Sequence, residues 1–238
     1  MIDPLTKIYT EEVNKVLSDQ QKQFLNSYVV GKWVIDENGY CNVFGDVSAP
    51  TAAKSSQFGG IAKSSNKISG NELPVKFGTI FKTHVLDSGC FNIQMFADVA
   101  SLNNCPFEVH GNFEARNQSF STLEGGPEKV FGNYNVSFNL LNLVSLKGCP
   151  KFVGGIFDIH GCLGLKRLDY FPDRVESLIV DVQIPYSDLL KYYDRITSGN
   201  IKVYDAGKGL WYLDSDQLKK DYEIHRELQH PELGNLDI

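Results

Sequence analysis

The feature that most constrains this chain is a repeat running from Val99 to Val182. Pro106, Pro127, Pro150 and Pro172 recur about every 22 residues, the period of a stacked solenoid. Leu102, Leu123, Leu146 and Leu168 each stand four residues before a proline, and Val99, Phe120, Leu143 and Leu165 stand three before those leucines. Val109, Val130, Val153 and Val175 follow the prolines by three, and Phe113, Tyr134, Phe157 and Ile179 follow the valines by four. A unit of this length cannot bury its apolar face alone, so neighbouring units must stack into one continuous core.

After each proline the inward positions alternate with outward ones, as in Val130, Gly132, Tyr134 and Val136, and a period of two predicts a strand. Stacking places these strands side by side in a parallel sheet, about 4.8 Å apart. The proline stands at the start of the strand, where its missing N–H costs no ladder bond. Gly111, Gly132 and Gly155 occupy the inward position where adjacent turns approach most closely. The expected fold is mainly β, a parallel solenoid of about 22-residue repeats with helical caps.

Three regions follow: an N-terminal helical cap at 1–29, the solenoid at 30–182, and a C-terminal α/β cap at 183–238. A helix is predicted over 8–28, capped by Thr10, with Glu11 and Glu12 in its first turn, and its role would be to shield the open sheet edge. Lys32 to Val47 reads as a hairpin or first solenoid turn around Asp36-Glu37-Asn38-Gly39. Residues 49–71, rich in Ala, Ser, Gly and Lys, form an excursion with little to bury, and the lysines Lys54, Lys63 and Lys67 make it a second candidate for gripping a partner. Leu73-Pro74 would open another turn, with Phe77 and Phe81 in the places of Val109 and Phe113. Beyond Val182, a helix is expected over Ile184 to Thr197, a turn at Ser198-Gly199-Asn200, short strands around Ile201 to Tyr204 and Trp211 to Leu213, and a last helix over Gln217 to Leu228.

With a formal charge of −6, the chain lacks the basic footprint of a nonspecific nucleic-acid binder, and no nucleic-acid partner is expected. No apolar run is long enough to span a bilayer, and the N-terminus does not read as a signal peptide, so no membrane partner is expected. The five cysteines form no CxxC pair and read as apolar filler in a reducing compartment, with no metal or cofactor implied.

Projected onto the sheet, outward residues form rows across the turns. The first row is Gly78, His110, Phe131, Gly154 and Glu176; the second is Ile80, Asn112, Asn133, Ile156 and Leu178. The third is Lys82, Glu114, Asn135, Asp158 and Val180, and the fourth His84, Arg116, Ser137, His160 and Val182. The expected partner-binding face is therefore His110, Asn112, Glu114, Arg116, Phe131, Asn133, Asn135, Ser137, Ile156, Asp158 and His160, a mixture of hydrogen-bonding groups with an aromatic. Ordinary solvated residues, including an amide ladder between Asn112 and Asn133, are the competing reading of the same rows.

The segments ENGYCNVFGDVS, NELPVKFGTIF, SLNNCPFEVHGNF, TLEGGPEKVFGNYNVS and SLKGCPKFVGGIFDI, in that order, resemble the leucine-rich-repeat-like proteins of large tailed bacteriophages over roughly residues 30–182. The chain departs from that pattern at 49–71, where a tight polar turn with leucines would stand, and again after Phe81. The resemblance implies a leucine-rich-repeat-like scaffold in a phage context, acting in the host cytoplasm, and it carries no catalytic residues. A monomer or small oligomer that binds and inhibits a host defence or toxin protein is the expectation that follows, with a phage protein as the other partner class.

An enzyme or nucleic-acid-modifying protein is the alternative, with its chemistry on the same face or between the solenoid and the C-terminal tail. Glu114, Asp158 and His160 are acid and base candidates, and a site between solenoid and tail would converge Asp158, His160, Asp205 and Lys208. The sequence holds no GxSxG, HExxH or P-loop, so an enzyme is not the expectation. A structural role in the virion is a third reading, which requires association through an uncapped sheet edge.

Overall fold

In a computed structural model of the chain, the residues described are 25–26, 29–35, 40–48, 82–86, 89–93, 99–103, 105–205, 207–213 and 215–229. They build one long sheet. Its strands are β1 (Val29–Ile35), β2 (Tyr40–Ser48), β3 (Lys82–Leu86), β4 (Phe91–Asn92), β5 (Glu108–Val109), β6 (Phe113–Glu114), β7 (Lys129–Val130), β8 (Tyr134–Asn135), β9 (Phe152–Asp158), β10 (Arg174–Asp181), β11 (Ile196–Asp205) and β12 (Gly209–Tyr212). Two helices, α1 (Tyr186–Lys191) and α2 (Ser215–Gln229), fall in the C-terminal part.

From β2 to β11 every pairing is parallel, and the valine of each turn lies beside that of the next: Val85 on Val109, Val109 on Val130, Val130 on Val153, Val153 on Val175. These spacings of 21 to 24 residues are the turns of a parallel solenoid. Three consecutive turns split their strand in two, as β3/β4, β5/β6 and β7/β8, while β9 runs unbroken beside both β7 and β8. The terminal strands reverse direction. β1 pairs antiparallel with β2, and β12 pairs antiparallel with β11.

The repeat's leucines and prolines have a local reason. The N–H of Cys105, Gly126, Cys149 and Phe171 donates to the carbonyl three residues earlier, of Leu102, Leu123, Leu146 and Leu168, at 2.8–3.1 Å. Each proline thus follows a closed β-turn whose leucine is fully buried. In the last three of these turns the third residue has a left-handed backbone: φ is +84° at Gly125, +84° at Gly148 and +69° at Tyr170. Inside the solenoid, Phe91, Phe113, Tyr134, Phe157, Phe171 and Tyr192 form an aromatic column with centroids 4.9–5.8 Å apart.

Five expectations need correction. The turn before Pro106 is carried by Val85 and Phe91, which pair with Val109 and Phe113; Phe77 and Phe81 do not hold those places and lie outside the described residues. His84 accordingly stands beside Glu108 and Lys82 beside Tyr40, not in the rows of Arg116 and Glu114. In the last repeat the chain from Val175 to Ser177 spans what Val153 to Ile156 spans in the turn before, so β10 has one residue fewer over that stretch. A one-residue shift exchanges the faces of a strand. Leu178 and Val180 therefore point into the core, fully buried, and Ile179 takes the outward place beside Asp158.

The helix expected over Ile184 to Thr197 stops at Lys191, followed by a 3₁₀ turn at Tyr193–Arg195, and β11 already begins at Ile196. Ser198-Gly199-Asn200 is a bulge within that strand, with Gly199 at φ +67°, because Ile196 pairs with Val175 and Asn200 with Ser177. Of the helix predicted over 8–28, Leu25 and Asn26 are described, both helical, with Leu25 buried in the core; the rest lies outside the described residues, as does the 49–71 excursion.

Candidate functional site

The outward face of the sheet sorts the expected binding residues into two kinds. Asn112 and Asn133 are architectural. The Asn112 Oδ1 accepts the backbone N–H of Asn133 at 2.8 Å, and the Asn133 Oδ1 accepts that of Ile156 at 2.8 Å. A Cβ on Gly132 would lie 2.5 Å from the Asn112 Oδ1, and one on Gly155 would lie 2.3 Å from the Asn133 Oδ1, so the inward glycines make room for this ladder. Ser137 is fully buried, its hydroxyl donating to Asn135 Oδ1 at 2.7 Å. These groups are spent on the solenoid itself.

The remaining residues form two clusters of the same composition. In the first, His110 Nε2 lies 2.8 Å from Glu108 Oε1, and the imidazole meets the edge of Phe131 at 4.8 Å between centroids. Phe131 in turn touches Phe152 at 5.5 Å, so three turns contribute to one aromatic row. Phe131 stays 45% exposed in the middle of the sheet. In the second, Asp158 Oδ1 lies 2.5 Å from His160 Nδ1 and also accepts the His160 backbone N–H at 3.2 Å. That imidazole packs between Phe138 at 4.5 Å and Tyr204 at 5.3 Å. Glu114 and Arg116 face each other at 4.0 Å beside this second cluster, and Ile156 is half-buried between the two.

Sequence reasoning missed an apolar knuckle at the strand exit. Phe138 and Leu140 have left-handed backbones, φ +57° and +38°, and present exposed side chains together with Leu141, which is 73% exposed. Asn139 between them is buried and clamps the segment, its amide donating to Val136 O at 2.6 Å and Ala115 O at 3.3 Å while its Oδ1 accepts the Gln118 N–H at 2.8 Å. Left-handed non-glycine residues cost of order 1–3 kcal/mol each, and here a buried amide holds them. Arg116, Asn117, Phe138 and Leu140 line a shallow groove at this edge. The signal in the sequence was the two extra residues of Phe138-Asn139-Leu140-Leu141-Asn142-Leu143 relative to the preceding repeat.

As for chemistry, the Asp158–His160 pair meets Tyr204 of β11, while the Asp205 carboxylate accepts the Gly207 N–H at 2.7 Å and the Lys208 N–H closes a turn onto Asp205 O at 3.1 Å. Among the described residues no group of three or more His, Cys, Asp or Glu side chains is placed to hold a metal ion. Three of the thiols are poor nucleophiles: burial pushes Cys149 and Cys162 up to about 12, and Cys105 higher still. Cys149 Sγ donates to Tyr170 O and Cys162 Sγ to Val136 O. No described helix is long and apolar enough to cross a membrane.

The fold and this face define a parallel β-solenoid of about 22-residue turns, edged by antiparallel strands and bearing two carboxylate–histidine–phenylalanine clusters on its outer surface. No family model matches the chain, and neither a curated protein nor a solved structure matches it.

Proposed function

We propose that this protein is a non-catalytic scaffold that binds a protein partner through the outward face of its sheet. The observation that supports this best is Phe131, an aromatic held half-exposed at the centre of a rigid sheet by His110 on one side and Phe152 on the other. Half-buried aromatics with little rotamer freedom left to lose are the usual anchors of protein interfaces. The resemblance of the repeats to phage proteins makes a host defence or toxin protein, met in the host cytoplasm and inhibited by capture, the partner class proposed. Affinity capture with the tagged chain tests this: the wild type retains a partner in stoichiometric amount, and Phe131→Ala releases it while melting unchanged. Equal retention by both would place binding elsewhere.

A second reading has its own observation. Asp158 fixes the Nδ1 of His160, the arrangement that orients a general base, and Tyr204 lies alongside. Under that reading the protein is a hydrolytic enzyme, and His160→Ala abolishes turnover of a substrate that Phe131→Ala leaves untouched.

A further inference from the structure

Resting on the scaffold reading, the charges around the aromatic row define its partner further. Lys129 and Arg174 flank Phe152 directly, one on each neighbouring strand, so their backbones stand about 10 Å apart, two strand spacings. Both are exposed. Their polar neighbours are satisfied within the chain: Lys151 by Glu128 at 3.6 Å, the His110 imidazole by Glu108 at 2.8 Å, and Arg195 by Asp173 at 3.6 Å. Lys129 and Arg174 form no ion pair among the described residues, although carboxylates are abundant in a chain of net charge −6. One exposed carboxylate, Glu176, stands two residues beyond Arg174 without pairing to it.

We infer that this surface docks a protein segment in which an apolar or aromatic anchor is flanked by Asp or Glu side chains. The anchor packs on the exposed edge of Phe131 and on Phe152, and the carboxylates reach Lys129 and Arg174. Pairing across a partly desolvated rim steers association and fixes orientation more than it adds raw affinity. A single-stranded nucleic acid would also combine cations with aromatics, but it needs open ring faces on which bases stack. Here His110, Phe131 and Phe152 lean edge-on against one another at 57–60°.

The test uses the full chain as bait for a displayed library of random dodecapeptides, with a fluorescent oligothymidylate as the competing ligand. Recovered peptides are expected to carry Asp or Glu on both sides of a Leu or aromatic residue. A synthetic copy should bind the Lys129→Glu/Arg174→Glu double variant about tenfold more weakly, and with a flatter salt dependence, than wild type. Replacing the peptide's carboxylates by amides should cost wild type a similar factor and cost the double variant little. The inference is overturned by recovery of no peptide, by peptides without an acidic excess, by affinity indifferent to the charge reversal, or by binding of the oligothymidylate alone. If Phe131→Ala abolishes binding while the charge reversal does nothing, the scaffold reading stands and the acidic partner falls. Where Phe131→Ala also does nothing, both fall. Circular dichroism and melting of each variant establish that these exposed substitutions leave the fold intact.

Discussion

The Asn133 side-chain oxygen accepts the backbone N–H of Ile156 at 2.8 Å, one turn further along the solenoid, just as Asn112 accepts the N–H of Asn133. Asn133→Ala leaves the Ile156 N–H without its partner in a half-buried position. The expected cost is about 1–3 kcal/mol, read as a lower urea midpoint. Any loss of partner binding by this variant therefore reports a damaged scaffold, and Phe131→Ala is the cleaner probe of the face.

Tyr134 carries the opposite problem. Its ring belongs to the core column, stacked on Phe113 at 4.9 Å, but its hydroxyl is buried with no hydrogen-bond partner among the described residues. Burial, followed by the nearby Cys149 and Cys105 thiols, pushes its ionisation well above the ordinary tyrosine range, so the group stays neutral. Tyr134→Phe keeps the ring and removes the orphaned hydroxyl. It should stabilise the protein by about 1 kcal/mol, visible as a higher melting temperature.

Gly148 and Tyr170 occupy the same place in consecutive turns, with φ of +84° and +69°. A side chain is thus tolerated there when there is room. At Gly148 there is none, since a Cβ would lie 2.4 Å from the Glu124 Cα. Gly148→Ala should cost more than the roughly 1–2 kcal/mol of left-handed strain alone, because backbone must also move. Comparing its urea midpoint with the difference between Tyr170→Ala and Tyr170→Gly, which measures the strain of a Cβ where there is room for it, separates strain from clash.

The acid limb of stability should depend on Asp188, buried at the start of α1. Burial pushes its carboxyl up, but hydrogen bonds from the Arg167 guanidinium at 2.9–3.0 Å and the Leu168 N–H at 2.8 Å outweigh it and hold the group below the ordinary range. A depressed folded-state pKa adds stability above the unfolded value, near 3.9, that is lost as pH falls through the folded one. Wild type should lose melting temperature below about pH 4 on this account. Asp188→Asn should be less stable at neutral pH and show a shallower acid decline.

How much of this was legible beforehand follows from the kind of signal each feature leaves. The turns at Pro106, Pro127 and Pro150 could be placed because burial repeats with them: Leu102, Leu123 and Leu146 on one wall, Val109, Val130 and Val153 on the other, all fully buried. The glycines Gly132 and Gly155 were legible as points of close approach, although the asparagine oxygens they admit were not. Register failed where a strand changes length without changing composition. Nothing in Arg174-Val175-Glu176-Ser177-Leu178 marks the missing residue, and only the fixed positions of β9 on one side and β11 on the other decide that Leu178 turns inward.

The sequence by itself determined the solenoid, its period and its buried walls, because stacking makes every turn repeat the same burial problem. Tertiary structure alone decided which outward residues remain available. Asn112 and Asn133 are drawn into ladder bonds with adjacent turns, and Ser137 is buried. Phe131 and Phe152, from successive turns, meet as one surface between Lys129 and Arg174. Those assignments depend on side chains about 22 residues apart coming within a few ångströms, and a linear pattern encodes the spacing of such residues without their contacts.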